Sequence, residues 1–379
     1  MPKLEFYYFH LMPYTYLPED FHKTYPSTWV TLPNSLYDPV KGQELYQRYL
    51  NHLVEAERWG WDGICVNEHH QNAYGTMPSP NIIAAMLTQL TKKVKIGIIG
   101  NALPLHDDPL RVAEEIAMLD VISGGRIISG FVRGTGMEYY SYNVNPAHSR
   151  ERFYEAHDLI IQAWTRPGPF SFAGRHYNYR YVNTWPRPLQ KPHPPIWLPG
   201  TGSLETVEYA AEKRYPFMMV FSPQTYQRKA YQAYRRFAEE KFGYQAQPNQ
   251  LAFAVPTYVA ETDAVALKEA EPHIMWLFHK GLHTTRQFLM PPGYVSQRSL
   301  AAILRAGLKE HHQLTFQELL DQGYVIVGSP ATVIEKLSVY TEDMKAGILI
   351  GGAHCGDMPE ELVQKNMELF SQEVMPHFR

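Results

Sequence analysis

LDVISGGRIISGFVRGTG, Leu119–Gly136, is the stretch whose reading decides the fold. Its first residues finish a helix, and Ser123-Gly124-Gly125 stops that helix with residues that tolerate positive φ. Ile127 to Val132 is short, β-branched and almost continuously apolar, the pattern of a strand buried on both faces of a parallel sheet. Arg133 follows at once, then Gly134 and Gly136. A guanidinium at the carboxyl end of such a strand, beside glycines that admit a ligand closely, suits a phosphate or another anion. The alternative is an arginine that merely opens a solvated loop.

The same unit recurs on either side. Lys3–Phe9, Gly63–Asn67, Val94–Leu103, Ile196–Leu198, Phe217–Phe221, Leu251–Val259 and Gly347–Ile350 read as further strands. Helices are expected between them, over 42–58, 80–90, 109–122, 149–164, 203–212, 224–242, 262–277, 329–343 and 359–375. Asp107 or Asp108 is a candidate cap for the third of these, and Ser149 for the fourth. Phe170–Tyr181 reads as an inserted hairpin. Eight short strands alternating with helices are the pattern of a parallel (β/α)8 TIM barrel. A doubly wound dinucleotide fold is disfavoured, because no G-x-G-x-x-G follows the first strand. One barrel domain over 1–379 is expected, with a mobile insertion near 278–300 around Met290-Pro291-Pro292-Gly293.

Composition narrows the function. A net charge of −3 in 379 residues gives no basic face for nucleic acid. No apolar run reaches the ~20 residues of a membrane span. Two cysteines argue for a reducing, cytoplasmic compartment; Cys65 reads as a core residue and Cys355 lies in a glycine-rich loop. The aromatic content is high, with 26 Tyr, 17 Phe and 7 Trp, and much of it falls in the loops. It either walls a pocket for an apolar ligand or packs long connections, such as His10–Lys41, against the body.

Barrel active sites gather at the carboxyl ends of the strands. Those positions hold His10, Glu68-His69-His70, Gly100-Asn101, Arg133 and Gly200-Thr201-Gly202-Ser203. The last of these opens a helix whose free N–H groups favour a phosphate, with Ser203 at its start and Thr206 one turn on. Adjacent histidines after a strand point in different directions, so His69 and His70 lack metal-ligand spacing, as do His311-His312 and His354-Cys355. No metal is expected, and the histidine at the mouth reads as a proton donor or acceptor. Gly100 permits close backbone approach to a flat ligand or serves only a strand bulge; Asn101 offers both donor and acceptor.

These residues together resemble the bacterial luciferase-like flavin monooxygenases. The carriers are VNEHH at Val66–His70, the run Ile96–Gly134, PIWLPGTGSLETVEYAA at Pro195–Ala211 and GDMPEELV at Gly356–Val363. The resemblance implies a barrel, often dimeric, that takes reduced FMN from a separate flavin reductase. O2 is its co-substrate, and a flavin C4a-hydroperoxide oxygenates a small, apolar substrate. Carried over by position, Arg133, Ser203 and Thr206 are phosphate contacts, with the Gly202 backbone beside them. Ile99-Gly100 matches a non-proline cis peptide beneath the flavin ring. Glu68 and Asn101 border the ring, His69 matches the catalytic histidine, and His10 and Met137 are the candidate substrate contacts. Val132 stands where luciferases carry a cysteine, and Met137 and Glu138 depart from the luciferase pattern, which puts light emission in doubt. The rival expectations are a deazaflavin-dependent dehydrogenase on the same barrel, a flavin-storage protein and a metal hydrolase.

Overall fold

A computed structural model describes residues 3–297, 301 and 309–379. Its strands are β1 (Glu5–Phe9), β2 (Gly63–Val66), β3 (Lys95–Ala102), β4 (Ile127–Val132), β5 (Phe170–Ala173), β6 (Asn178–Val182), β7 (Ile196–Gly200), β8 (Phe217–Val220), β9 (Leu251–Val259), β10 (Ile326–Gly328) and β11 (Ile348–Gly352). Parallel pairing runs β1-β2-β3-β4-β7-β8-β9-β11 and returns to β1, so the expected eight strands close into a barrel. β5 and β6 form the antiparallel hairpin. β10 was not expected. It is three residues long, too short to show a period, and it pairs with the end of β9 at Thr257–Val259, outside the ring.

The strands are apolar on both faces because both faces are covered. Tyr7, Cys65, Ile128, Trp197, Met218 and Ile350 fill the barrel interior, where the Tyr7 and Trp197 rings meet edge-on at 4.8 Å. The other faces pack against helices that start where proline favours a first turn, at Pro39, Pro80, Pro109 and Pro330. Helix Pro109–Ser123 ends at Gly124 in the left-handed region, φ 71°, as the diglycine demands. The long connection after β1 is a packed excursion: Met12, Tyr14 and Trp29 are buried, and Trp29 bridges to Asn72 in the loop after β2.

Two expected caps are absent. Asp108 precedes its helix but instead accepts from the Tyr179 hydroxyl at 2.6 Å. Ser149 lies inside its helix, after His148, and its hydroxyl accepts from Arg133. Among the described residues no helix is long and apolar enough to cross a membrane.

Candidate active site

β2 ends at Val66, and the chain then turns so that Glu68, His69 and His70 diverge. The Glu68 carboxylate is buried and accepts from the Asn101 side chain at 3.2 Å and the Ala102 N–H at 3.3 Å. His70 Nε2 lies 2.8 Å from it and His106 Nε2 3.3 Å. Burial works to raise its pKa, but the bonds from His106 and His70 outweigh this and hold the carboxyl at about 2. His106 is raised in turn: burial opposes its charge and the Glu68 carboxylate more than offsets that.

The signs fix a pH window. The contribution of Glu68, whose pKa is depressed, exists above its unfolded value of ~4.3 and is lost as pH falls towards about 2. That of His106, whose pKa is raised, is complete below ~6.5 and is lost as pH climbs through its folded value. His106→Gln should therefore lower the urea midpoint most between about pH 4.5 and 6.5, with the gap from wild type narrowing on both sides. A gap that stays constant from pH 5 to about 9 in urea titrations would remove the pairing from the account.

Asn101 sits in β3 with its Nδ2 also 3.3 Å from Asn81 Oδ1, and Asn81 Nδ2 donates to Glu115 at 2.7 Å. Asn101 Oδ1 is buried without a partner among the described residues. The Ile99-Gly100 peptide is cis, as the resemblance implied. Here the β3–β4 register shifts between Ile98 and Asn101. A Cβ on Gly100 would stand 2.7 Å from the Gly130 backbone, so at this point glycine is required by strand packing.

His69 diverges to the other side. Its Nδ1 is 2.9 Å from Glu138 Oε1, and Glu138 is fully buried. Glu138 also accepts from the N–H groups of His70 (3.2 Å) and Thr135 (2.8 Å). A carboxylate on Nδ1 fixes the proton there and leaves Nε2 as the working nitrogen. Nε2 has no hydrogen-bond partner among the described residues, and the rings of Trp29 and Tyr74 stand edge-on to the imidazole at 5.0 and 5.1 Å.

At the end of β4, Arg133 Nη1 donates to Ser149 Oγ and to the Tyr294 carbonyl, both at 3.2 Å, and its guanidinium lies 4.5 Å over the Tyr294 ring. No carboxylate pairs with it among the described residues. β7, next to β4, leads through Gly202 (φ +92°) into helix Leu204–Lys213. Ser203 precedes this helix without capping it, and its hydroxyl and that of Thr206 bond each other at 2.7 Å. Helix Ser149–Thr165 links the two, with Ser149 on Arg133 and Arg150 4.0 Å from Glu205. A cation without a carboxylate, two hydroxyls and a glycine backbone fit a phosphate; the open Asn101 amide fits a polar ring edge.

His10 and Met137 are buried. Met137 precedes Glu138 in helix Gly136–Ser141. His10 accepts from the Met12 N–H at Nδ1 (2.9 Å) and faces His52 at Nε2 (3.3 Å), which engages both ring nitrogens. Cys355 is buried and its thiol pushed up by burial. Within the expected mobile segment, Tyr294 is tied to Arg133 and its hydroxyl donates to the Gly134 carbonyl at 2.6 Å; residues 298–300 lie outside the described residues. Glu138, His106, Asn81, Ser149 and Tyr294 were missed from the sequence. Only Glu138 carried a signal there, as an acid three residues after Thr135.

The luciferase-like monooxygenase family model matches residues 27–344. The oxygenase component of flavin-dependent trigonelline monooxygenase from Acinetobacter baylyi is 30% identical over 164 residues, 42% of this chain and 45% of that protein. The match thus spans under half of that relative's length. The oxygenating constituent of 3,6-diketocamphane monooxygenase from Pseudomonas putida, solved with FMN, superposes with a TM-score of 0.74 at 21% identity, covering 100% of this chain and 99% of that one. An F420-dependent secondary alcohol dehydrogenase superposes with a TM-score of 0.69 at 16% identity, covering 100% and 99%. With its family model spanning most of the length and the same barrel beneath it, this chain belongs to the luciferase-like monooxygenases.

Proposed function

We propose that this protein is an FMN-dependent monooxygenase, the oxygenase component of a two-component system supplied with reduced FMN by a separate reductase. The observation that carries this reading is the pairing, at one end of the barrel, of an arginine without a carboxylate and a histidine whose proton is fixed by buried Glu138. The trigonelline relative, itself an oxygenase component, supports the same reading.

When bound, reduced FMN supplies the electrons that activate O2. The chain does the rest. Arg133, the Ser203 and Thr206 hydroxyls and the Gly202 backbone hold the phosphate. Asn101, oriented by Glu68 and Asn81, would offer its open Oδ1 to a polar group of the flavin. His69 Nε2 gives or takes the proton that oxygen transfer requires, while Trp29 and Tyr74 keep water from it.

The test supplies NADH, a flavin reductase, FMN and 18O2 with a panel of apolar ketones, aldehydes and aromatic acids. One labelled oxygen in a product, with substrate-stimulated oxygen uptake, is expected. Unlabelled oxidised product formed anaerobically with a deazaflavin would instead establish the dehydrogenase, a reading that the F420-dependent structural neighbour keeps in play.

The same reading includes a homodimer, the family's common assembly. Ile82, Met86 and Leu90 form an exposed stripe on helix Pro80–Leu90, and Met118, Val121 and Ile122 lie exposed on the adjacent helix Pro109–Ser123. A second copy would cover this face. Light scattering should give twice 43.7 kDa for wild type, and Met86→Glu should shift the protein towards the single-chain mass. A wild-type monomer at micromolar concentration would remove the dimer.

Segment 281–297 is the proposed lid, closing on the phosphate site through Tyr294. Trypsin should cut it more slowly once FMN is bound. Full resistance without flavin would argue for a fixed wall.

A further inference from the structure

Helix Ser149–Thr165 turns one face towards the β5–β6 hairpin. Glu151 and Glu155 lie four residues apart on that face, and His148 lies three residues before Glu151. Glu155 fixes the hairpin tip: its carboxylate accepts from the N–H groups of Arg175 (3.0 Å), His176 (2.9 Å) and Tyr177 (2.7 Å). The buried Tyr177 ring, under the Arg152 guanidinium at 5.1 Å, anchors the hairpin further.

Held this way, His176 meets Glu151 and His148. His176 Nε2 stands 3.2 Å and His148 Nδ1 4.0 Å from the same oxygen, Glu151 Oε2, and the two imidazole centroids are 5.6 Å apart. One ligand atom from each of the three residues lies within 4.8 Å of the others, which no other trio of histidine, cysteine or carboxylate side chains achieves among the described residues. The His176 side chain is largely enclosed, whereas those of His148 and Glu151 are about half exposed. Spacing on one element, the ground for expecting no metal, cannot find this trio, because His176 comes from the hairpin, 25 residues after Glu151.

Two imidazoles and a carboxylate are a donor set for zinc; Mg2+ and Ca2+ favour oxygen alone. Bonds of ~2.1 Å place the atoms around a tetrahedral zinc about 3.4 Å apart. His176 and Glu151 already stand near that spacing, and His148, with its open side, closes the remainder by rotating its side chain. The fourth position is left to water. One cation competes for the carboxylate: Arg175 Nη1 donates to Glu151 Oε2 at 2.8 Å, from an exposed side chain that can swing into solvent.

We propose that His148, Glu151 and His176 bind one Zn2+, which clamps the β5–β6 hairpin to helix Ser149–Thr165. The ion is a staple and not a reaction centre: none of Arg133, Ser203, Thr206 or His69 is a ligand. The site therefore stands or falls independently of the oxygenase reading.

Untagged protein, stripped with a chelator, is titrated with zinc chloride against a colorimetric zinc indicator in excess Mg2+. Wild type should bind one zinc per chain. His148→Ala and His176→Ala should each weaken it by at least about tenfold, since even an outer-shell partner of a metal is worth that much. Arg175→Ala should bind zinc about two- to fivefold more tightly, because it frees the carboxylate from an exposed ion pair. His312→Ala, in a histidine pair elsewhere with ring centroids 5.0 Å apart, should bind as wild type does. Zinc should raise the thermal midpoint of wild type and leave that of His176→Ala unmoved, as for any ligand held by the folded chain. Wild-type crystals soaked in zinc should give an anomalous peak between the three side chains, a measurement that needs no folded variant.

Absence of saturable binding by wild type would overturn the proposal. Equal affinity in wild type and both histidine variants, loss of binding in His312→Ala, or an anomalous peak elsewhere would do the same.

Discussion

Arg133→Ala should lower FMN affinity by roughly 10- to 100-fold, read from quenching of flavin fluorescence at fixed ionic strength. The guanidinium stands at the end of a strand buried on both faces, so it is presented by a rigid element. Its neutral partners, Ser149 and the Tyr294 carbonyl, leave its charge uncompensated. A phosphate supplies that compensation through charge-assisted bonds worth ~1.5–3 kcal/mol each, which is the origin of the expected factor. Arg133→Lys should recover only part of it, since an ammonium cannot present two donors in one plane. Riboflavin separates this from general damage to the mouth. Lacking the phosphate, it should bind wild type and Arg133→Ala alike. Equal losses for FMN and riboflavin, or no loss for either, would take Arg133 out of the phosphate site.

That arginine and its strand were legible for one physical reason. A strand with both faces covered must be apolar throughout, so Ile127–Val132 announces itself and the residue after it is placed at the barrel mouth. The other seven barrel strands follow the same logic. β10 escapes it, because a three-residue strand stands only by pairing with β9. The site divides in the same way. Glu68, His69, Asn101 and Arg133 lie at strand ends and are found by position alone. Glu138 lies 69 residues from His69, and Tyr294 is 161 residues from Arg133; tertiary packing alone brings these pairs together. Asp108 and Ser149 show the limit of local rules. Each has the right side chain for a cap, but Tyr179 and Arg133 took the oxygen that the helix would have used.

His69→Ala should reduce turnover by roughly 100- to 10,000-fold, the span of general acid–base catalysis, with FMN affinity largely kept. The two readouts separate because the imidazole and the phosphate cradle leave different strands, β2 and β4 with β7. Glu138→Gln is the sharper variant. An amide keeps the size of the carboxylate but can present N–H to Nδ1, which drives the His69 proton onto Nε2 and reverses the roles of the two nitrogens. Turnover should then fall nearly as far as in His69→Ala, and the double variant should lose little more than either single one, since both remove the same function. Full additivity would mean that Glu138 acts independently of His69, through its bonds to the Thr135 and His70 N–H groups. If turnover is unchanged in His69→Ala, the proton has another carrier. His70 is excluded from that role by its position between Glu68 and the Tyr142 hydroxyl, 2.8 and 3.0 Å away, where both nitrogens are engaged.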